Sequence, residues 1–360
     1  MSAPVAVVCS FRLGGTDGVS VEAAKWEWAL HELGLSTRRV AGELTDGIGP
    51  DDAWVPFLAI DPAPGARAEP DVLAAALAGA DLVVVENLCS LPLNEAASRM
   101  TADVLERHRG RVLFHHHDLP WERPRLAHLH EFPPRRPDSL HITINDHARV
   151  GLLERGIDAV TIRNAFDLHP PPGDRAGTRA SFGFSDAETV VLQPTRAIPR
   201  KDVGRAIEFA EQLQERLPSR VRYWITGPAE DGYGPELDRL LATASIPVTV
   251  GRAPRAADAY AAADVLVFPS NWEGFGNPVI ESVVARRPLA VAHYPALDEL
   301  VGLGLQLFSV DDPSALVAWL EHPDDERFDA NLTVAREHFD LSDLPRRIAA
   351  AFATVGWDQW

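Results

Sequence analysis

At 360 residues, with 46% hydrophobic and 24% charged side chains, the chain is long enough for two cores and has an ordinary globular composition. A formal charge of −18 excludes non-specific nucleic-acid binding and adsorption to anionic lipid, while leaving room for a locally basic site. The two cysteines, Cys9 and Cys89, sit in apolar runs without metal-type spacing, and no apolar stretch reaches the ~18 residues of a membrane span, so a reduced, cytoplasmic setting is expected.

The opening "MSAPVAVVCSF" has no basic flank and reads as a buried strand rather than a signal peptide. Strands are predicted over 4–10, 36–41, 81–86, 111–116, 139–144 and 159–163, with helices over 19–33, 94–108 and 146–155 between them. A Pro/Gly-rich stretch at about 165–178 reads as a linker. A second series follows, with strands over 189–194, 221–226, 247–250, 264–269, 288–292 and 305–309. Helices over 202–216, 234–244, 255–263, 277–286, 295–302 and 313–320 fill its gaps, and 324–353 reads as a helical tail. Apolar runs such as "DLVVVE" and "DVLVFPS" suit parallel strands covered on both faces, and the β/α alternation implies two doubly wound sheets. The expected organisation is an α/β pair of Rossmann-like domains, 1–168 and 169–340, facing each other across a cleft. A tail, 341–360, is expected to pack back on the first domain.

Chemistry concentrates where strands end. "NWEGFGNPVIES" follows the strand at 264–269 and sets Glu273 and Glu281 on either side of a glycine-rich loop opening a helix. Asn277 is the expected N-cap, with Pro278 at the first helical position. Two carboxylates repel phosphate, so they are read as acceptors for sugar hydroxyls. The cations come from "QPTRAIPRKD", where Arg196 and Lys201 share one strand-to-helix loop. A guanidinium and an ammonium there neutralise a pyrophosphate and stabilise it as a leaving group. No D-x-D motif is present to hold a metal in that role, so no Mg²⁺ requirement and no tightly bound cofactor are expected. A nucleoside-diphosphate sugar satisfies all of these groups.

These segments carry a resemblance. "EGFGNPVIE" resembles the E-x(7)-E signature of the family 4 retaining glycosyltransferases of GT-B fold, and Arg196/Lys201 resembles their R-x(4)-K element. "TIRNAFD" is similar to their P-N-G-V-D segment, with Arg163 and Ala165 where Pro and Gly are usual, and "RLGGTDGVS" to their glycine-rich first loop. The resemblance implies that Glu273 contacts the transferred hexose, that Glu281 holds the ribose, and that amides around Gly274, Phe275, Gly276 and Asn277 complete the sugar pocket. It also implies that one histidine of "VLFHHHDLPW" lines the sugar site; alignment favours His116, with Asp118 close by.

Gly15, Gly227, Pro228 and Arg252, at strand ends, are further candidates for donor contact; Thr16, Asp17, Asp118 and Trp121 are candidates for the acceptor. Gly14, Gly15 and Gly18 do not spell a dinucleotide fingerprint. Three consecutive histidines on a strand cannot all ligate one ion, because neighbours face opposite ways; His115–His117 are therefore read without a metal. The expected reaction is transfer of mannose or glucose, from GDP-mannose or UDP-glucose, to a soluble sugar or glycoside, forming an α-glycosidic bond with retention. Rival readings are a sugar-nucleotide epimerase of similar fold and a non-catalytic nucleotide-sugar-binding subunit.

Overall fold

In the computed structural model, which describes residues 3–357, the apolar runs become two fully parallel sheets. The first unit comprises β1 (Val5–Leu13), α1 (Gly18–Glu32), β2 (Ser36–Leu44), β3 (Ala53–Trp54), α2 (Pro70–Leu77), β4 (Leu82–Glu86), α3 (Glu95–Glu106), β5 (Arg111–His116), β6 (Leu140–Thr143), α4 (Asp146–Leu153) and β7 (Val160–Thr161). Its seven strands lie in the order β3-β2-β1-β4-β5-β6-β7. Period-2 alternation divides the core between the two faces of this sheet. Val7, Cys9, Val83, Val85 and Phe114 pack with residues of α2 and α3 on one face. Ala6, Leu82, Val84 and Leu113 pack with Trp26, Ala29 and Leu30 of α1 on the other.

The second unit comprises α5 (Arg175–Phe182), β8 (Glu188–Gln193), α6 (Val203–Arg216), β9 (Arg220–Ile225), α7 (Gly234–Thr243), β10 (Val248–Val250), α8 (Ala256–Ala262), β11 (Val265–Phe268), α9 (Asn277–Val284), β12 (Leu289–Val291), α10 (Pro295–Gly302), β13 (Phe308–Ser309), α11 (Ser314–Glu321) and α12 (Glu326–His338). Its six strands run β10-β9-β8-β11-β12-β13. Val191, Val221, Tyr223, Val265 and Val267 form a core with Ala206, Phe209 and Leu213 of α6.

The chain divides at Ala165/Phe166 and again at Asp340/Leu341, so the segment from Leu341 onward belongs with the first unit. There α13 (Leu344–Thr354) buries Leu344, Ile348 and Phe352 in the cluster that holds Trp26 and Leu30 of α1. The tail is two helices rather than one, broken over 339–343.

The stretch read as a linker is irregular over 165–174, and its last four residues open α5. Asp174 caps α5 by accepting from the Gly177 N–H at 2.9 Å, and Gly183 closes that helix in the left-handed region at φ 67°. Just before it, the Asp174 N–H donates to Asp258 of α8, and a Cβ at Gly173 would lie 2.0 Å from the Ala257 carbonyl oxygen. Gly173 thus allows close packing against α8.

Candidate active site

In each sheet the chain leaves the central strand to one side and later returns to the other. The loops after β1 and β4, and those after β8 and β11, therefore diverge at the carboxyl edge and leave room there for a ligand.

In the second unit, the loop after β8 is pinned from beneath. Gln193, fully buried at the end of β8, donates from Nε2 to the Lys201 carbonyl oxygen at 2.7 Å and accepts from the Tyr223 hydroxyl. Asp202 ends the loop at φ 47° and caps α6 by accepting from the Arg205 N–H. The loop after β11 is tied to it: the Asn271 N–H donates to the Arg200 carbonyl oxygen at 2.9 Å, and Arg200 Nη1 donates to the Trp272 carbonyl oxygen at 2.9 Å.

These ties bring Glu273 between two cations. Lys201 Nζ donates to Glu273 Oε1, and Arg200 Nη1 donates to Oε2 at 2.8 Å. Lys201 and Glu273 are both buried, with 8% and 7% of their surfaces exposed. Burial pushes the Glu273 carboxyl up, but Lys201 and Arg200 together outweigh it and hold the group below its usual range. Burial lowers Lys201 to about 8, with Glu273 opposing that shift. Near neutrality the pair is charged on both sides, and Lys201 stands close to losing its proton. Arg200, which the sequence did not single out, is the second cation on Glu273.

The rest of the loop is built for close approach. Gly276 adopts φ 95°, and a Cβ there would lie 2.1 Å from the Tyr294 hydroxyl oxygen, which itself donates to the Phe275 carbonyl oxygen at 3.1 Å. Gly276 is the N-cap of α9, and α9 starts at Asn277, one residue earlier than expected from Asn277 as the cap. Phe275 is buried against Phe166 and Phe339 rather than open to a ligand, leaving its backbone for that task. Gly274 is half-buried. Glu281 lies in the second turn of α9 and accepts from the Tyr260 hydroxyl of α8. Burial and then Glu281 raise Tyr260 well above its usual value, so it stays a donor.

Arg196 does not join Lys201 on Glu273, although its charge is among those that lower Lys201. Its Nη1 lies 2.6 Å from Glu230 Oε2, with both side chains about two-fifths exposed (40% and 41%). Gly227 explains the neighbouring loop: a Cβ there would meet the Arg196 Cα at 2.5 Å, and its N–H donates to the Thr195 carbonyl oxygen. Gly227 thus packs the loop after β9 onto the loop that carries Arg196. Arg252 is exposed in the turn after β10.

In the first unit, Gly14 takes φ 74° in the loop after β1, followed by half-buried Gly15 and exposed Thr16. Asp17, expected to meet the acceptor, is engaged as the N-cap of α1. It accepts from the Ser20 N–H and hydroxyl and pairs with Arg12 at 3.1 Å. Asp118 pairs with Arg123 at 2.6 Å, and Trp121 lies under the Arg155 guanidinium, 3.8 Å from its ring centroid.

The histidine run obeys strand alternation. His116, expected at the sugar site, is completely buried on the α3 face. Its Nδ1 lies 2.6 Å from Ser90 Oγ and its Nε2 2.9 Å from His141 Nδ1, and burial drives it well below its usual pKa. His115 and His117 share the opposite face with Glu86 of β4, and His117 is the most exposed of the three at 6%. Glu86 Oε2 lies 2.9 Å from His115 Nδ1 and 2.8 Å from His117 Nε2. Burial pushes Glu86 up, yet the two imidazoles prevail and hold it at about 2. Among the described residues, these three form the one group whose ligating atoms, all within 4.8 Å of one another, suit a metal ion. Glu86 went unnoticed in the sequence because its partnership with β5 is made only by the register Glu86↔His115.

Residues 189–322 match the family described as Glycosyl transferases group 1. Mannosylglucosylglycerate synthase of Petrotoga mobilis is 25% identical, over 83% of this chain and 85% of that protein. The enzyme of the same name from Thermotoga maritima is 26% identical, over 84% of each. Among solved structures, Anabaena HepE in complex with UDP and glucose superposes with a TM-score of 0.75, at 16% identity, over 98% of this chain and 100% of that one. The two parallel-sheet Rossmann-like units thus have the fold of GT-B glycosyltransferases, and the match to the group 1 family falls within the second unit.

Proposed function

We propose that this chain, a glycosyltransferase with a group 1 domain in its second unit, moves a mannosyl or glucosyl group from GDP-mannose or UDP-glucose to a hydroxyl of a soluble sugar or glycoside, with retention. The observation that carries the reading is Glu273, ionised between Lys201 and Arg200 at the carboxyl edge of the second sheet. A carboxylate so held accepts hydrogen bonds from hexose hydroxyls. Lys201, and Arg196 once released from Glu230, supply positive charge to a departing diphosphate, the task a divalent cation performs in other transferases. Glu281, aimed by Tyr260, accepts from the ribose hydroxyls. The acceptor oxygen attacks the anomeric carbon on the face the diphosphate leaves, and a phosphate oxygen takes its proton. The protein contributes positioning and preorganised charge. Two relatives named as mannosylglucosylglycerate synthases support a hexose donor and a small glycoside acceptor.

The test is incubation with each donor and a panel of soluble glycosides in EDTA, with proton NMR of the product's anomeric signal. An α-linked product formed without Mg²⁺ supports the reading; an inverted product, or transfer that stops in EDTA, defeats it.

A further inference from the structure

We propose that Glu86, His115 and His117 form a binding site for a transition-metal ion of the Zn²⁺ class in the first unit. Two features of the fold create the site. His115 and His117 lie two residues apart where β5 ends, so their rings leave the same face of the sheet. Parallel pairing sets Glu86 beside His115 on the adjacent strand. The backbone continuing past β5 is pinned too: Asn87, at φ 59°, accepts from the N–H groups of His117 and Asp118 at 3.1 and 3.2 Å. His117 is therefore held in register with Glu86 after the strand has ended.

The donor set is two imidazole nitrogens and one carboxylate oxygen, a combination that zinc takes readily and magnesium does not. A tetrahedral ion with bonds of about 2.0–2.2 Å separates its ligand atoms by about 3.3–3.5 Å. Here the carboxylate oxygen is 2.8 and 2.9 Å from the two nitrogens, so each contact opens by roughly half an ångström to admit the ion.

The surroundings favour a cation. Glu22 of α1, buried and paired with Lys25 at 2.5 Å, adds negative potential at His117. The Glu86 carboxylate only accepts, so His115 carries its proton on Nδ1 in the empty site; Nε2 has no hydrogen-bond partner and can take the proton when Nδ1 binds the ion. A metal-bound histidine ordinarily has such a partner, and its absence points to micromolar rather than tighter binding. Three protein ligands leave a fourth position, and the slight exposure of His117 places it toward the carboxyl edge of the sheet.

The binding test does not depend on the proposed transferase activity. Full-length protein is stripped with chelator and titrated with Co²⁺, followed by visible absorption, and with Zn²⁺ by calorimetry. The expected results are one equivalent of Co²⁺ with the intense d–d bands of a four-coordinate ion, displacement by Zn²⁺, and no uptake of Mg²⁺. E86Q and H117Q lose this equivalent, whereas H293Q, at an exposed histidine, keeps it. Absence of the bands in the unmodified protein, or retention of the equivalent by folded E86Q and H117Q, overturns the site. Should the variants fail to fold, the wild-type spectrum alone decides. Saturable metal binding without transferase activity would defeat the proposed function and leave the site standing.

Discussion

Lys201 and Glu273 lie on loops that follow different strands of the second sheet, and their side chains meet in a buried ion pair that Arg200 completes. Removing one partner of a buried pair leaves an uncompensated charge, worth about 3–5 kcal/mol in comparable cases. E273A should lower the denaturation midpoint accordingly. E273Q, which keeps the shape and one acceptor, should lose less stability. Either substitution should reduce kcat by about 100-fold or more if the carboxylate meets the transferred sugar. A variant with full activity would remove Glu273 from the site.

The same pair predicts the alkaline limb of activity. Burial depresses Lys201 to about 8, so the ammonium is present below that pH and disappears above it. Donor affinity should therefore fall as pH rises through about 8. In K201R the guanidinium does not titrate in this range, so the limb should move upward even if the maximal rate drops. Initial-rate measurements from pH 6 to 10 would show it; an unchanged limb in K201R would assign the titration to another group.

Gly276 and Tyr294 make a second buried contact with a clear consequence. Alanine at 276 must hold φ 95° and place its Cβ 2.1 Å from the tyrosine hydroxyl oxygen. The left-handed backbone costs about 1–2 kcal/mol and the overlap a further ~1–3. G276A should thus be among the more destabilising single substitutions of the second unit. Adding Y294F removes the hydroxyl but not the backbone strain, and should restore part of the loss. Urea denaturation of the single and double variants measures both contributions.

Arg196 and Glu230 are a surface pair, and such pairs contribute about 0–1 kcal/mol. R196A and E230A should leave the melting temperature nearly unchanged. Their effects on donor binding should diverge: R196A weakens it, while E230A, which frees the guanidinium, leaves it equal or stronger. Isothermal titration with nucleoside diphosphates distinguishes them, and equal weakening by both would mean that the pair acts as a unit.

Glu122 supplies a pH-dependent stability term in the first unit. Its carboxyl accepts from the Leu119 N–H at 2.7 Å, and burial, aided by Asp118, raises it to about 8. The folded value lies above the unfolded one, so its contribution is fully present below the ordinary glutamate range and declines as pH rises through about 8. E122Q should flatten the fall in stability between about pH 5 and 8. Thermal melts across that interval, with wild type in parallel, test the sign.

Most strands were legible because a parallel strand covered on both faces must be an unbroken apolar run, as in Leu82–Glu86 and Val265–Phe268. The elements missed were those whose signals are short or mixed with breakers. β3 has two residues, α2 follows a stretch rich in proline and glycine, and the first half of α5 was read as linker although Asp174 and Gly183 mark the two ends of that helix. The two loops that hold Lys201 and Glu273 were legible, each as a run of charged residues and glycine or proline following an apolar strand. Partner choice was not. Arg200 rather than Arg196 meets Glu273, and Asp17 is engaged in capping and in a pair with Arg12.

The amino-acid order by itself determined two α/β series and the loops at which carboxylates and cations gather, because apolar periodicity and glycine placement act locally along the chain. Only the tertiary structure decided which of three consecutive histidines turns inward and which two meet Glu86. Strand alternation assigns His116 to one face and its neighbours to the other, but which face carries an acid depends on the register of β4 against β5. Register is set by packing between strands distant in sequence, and no window of sequence contains it.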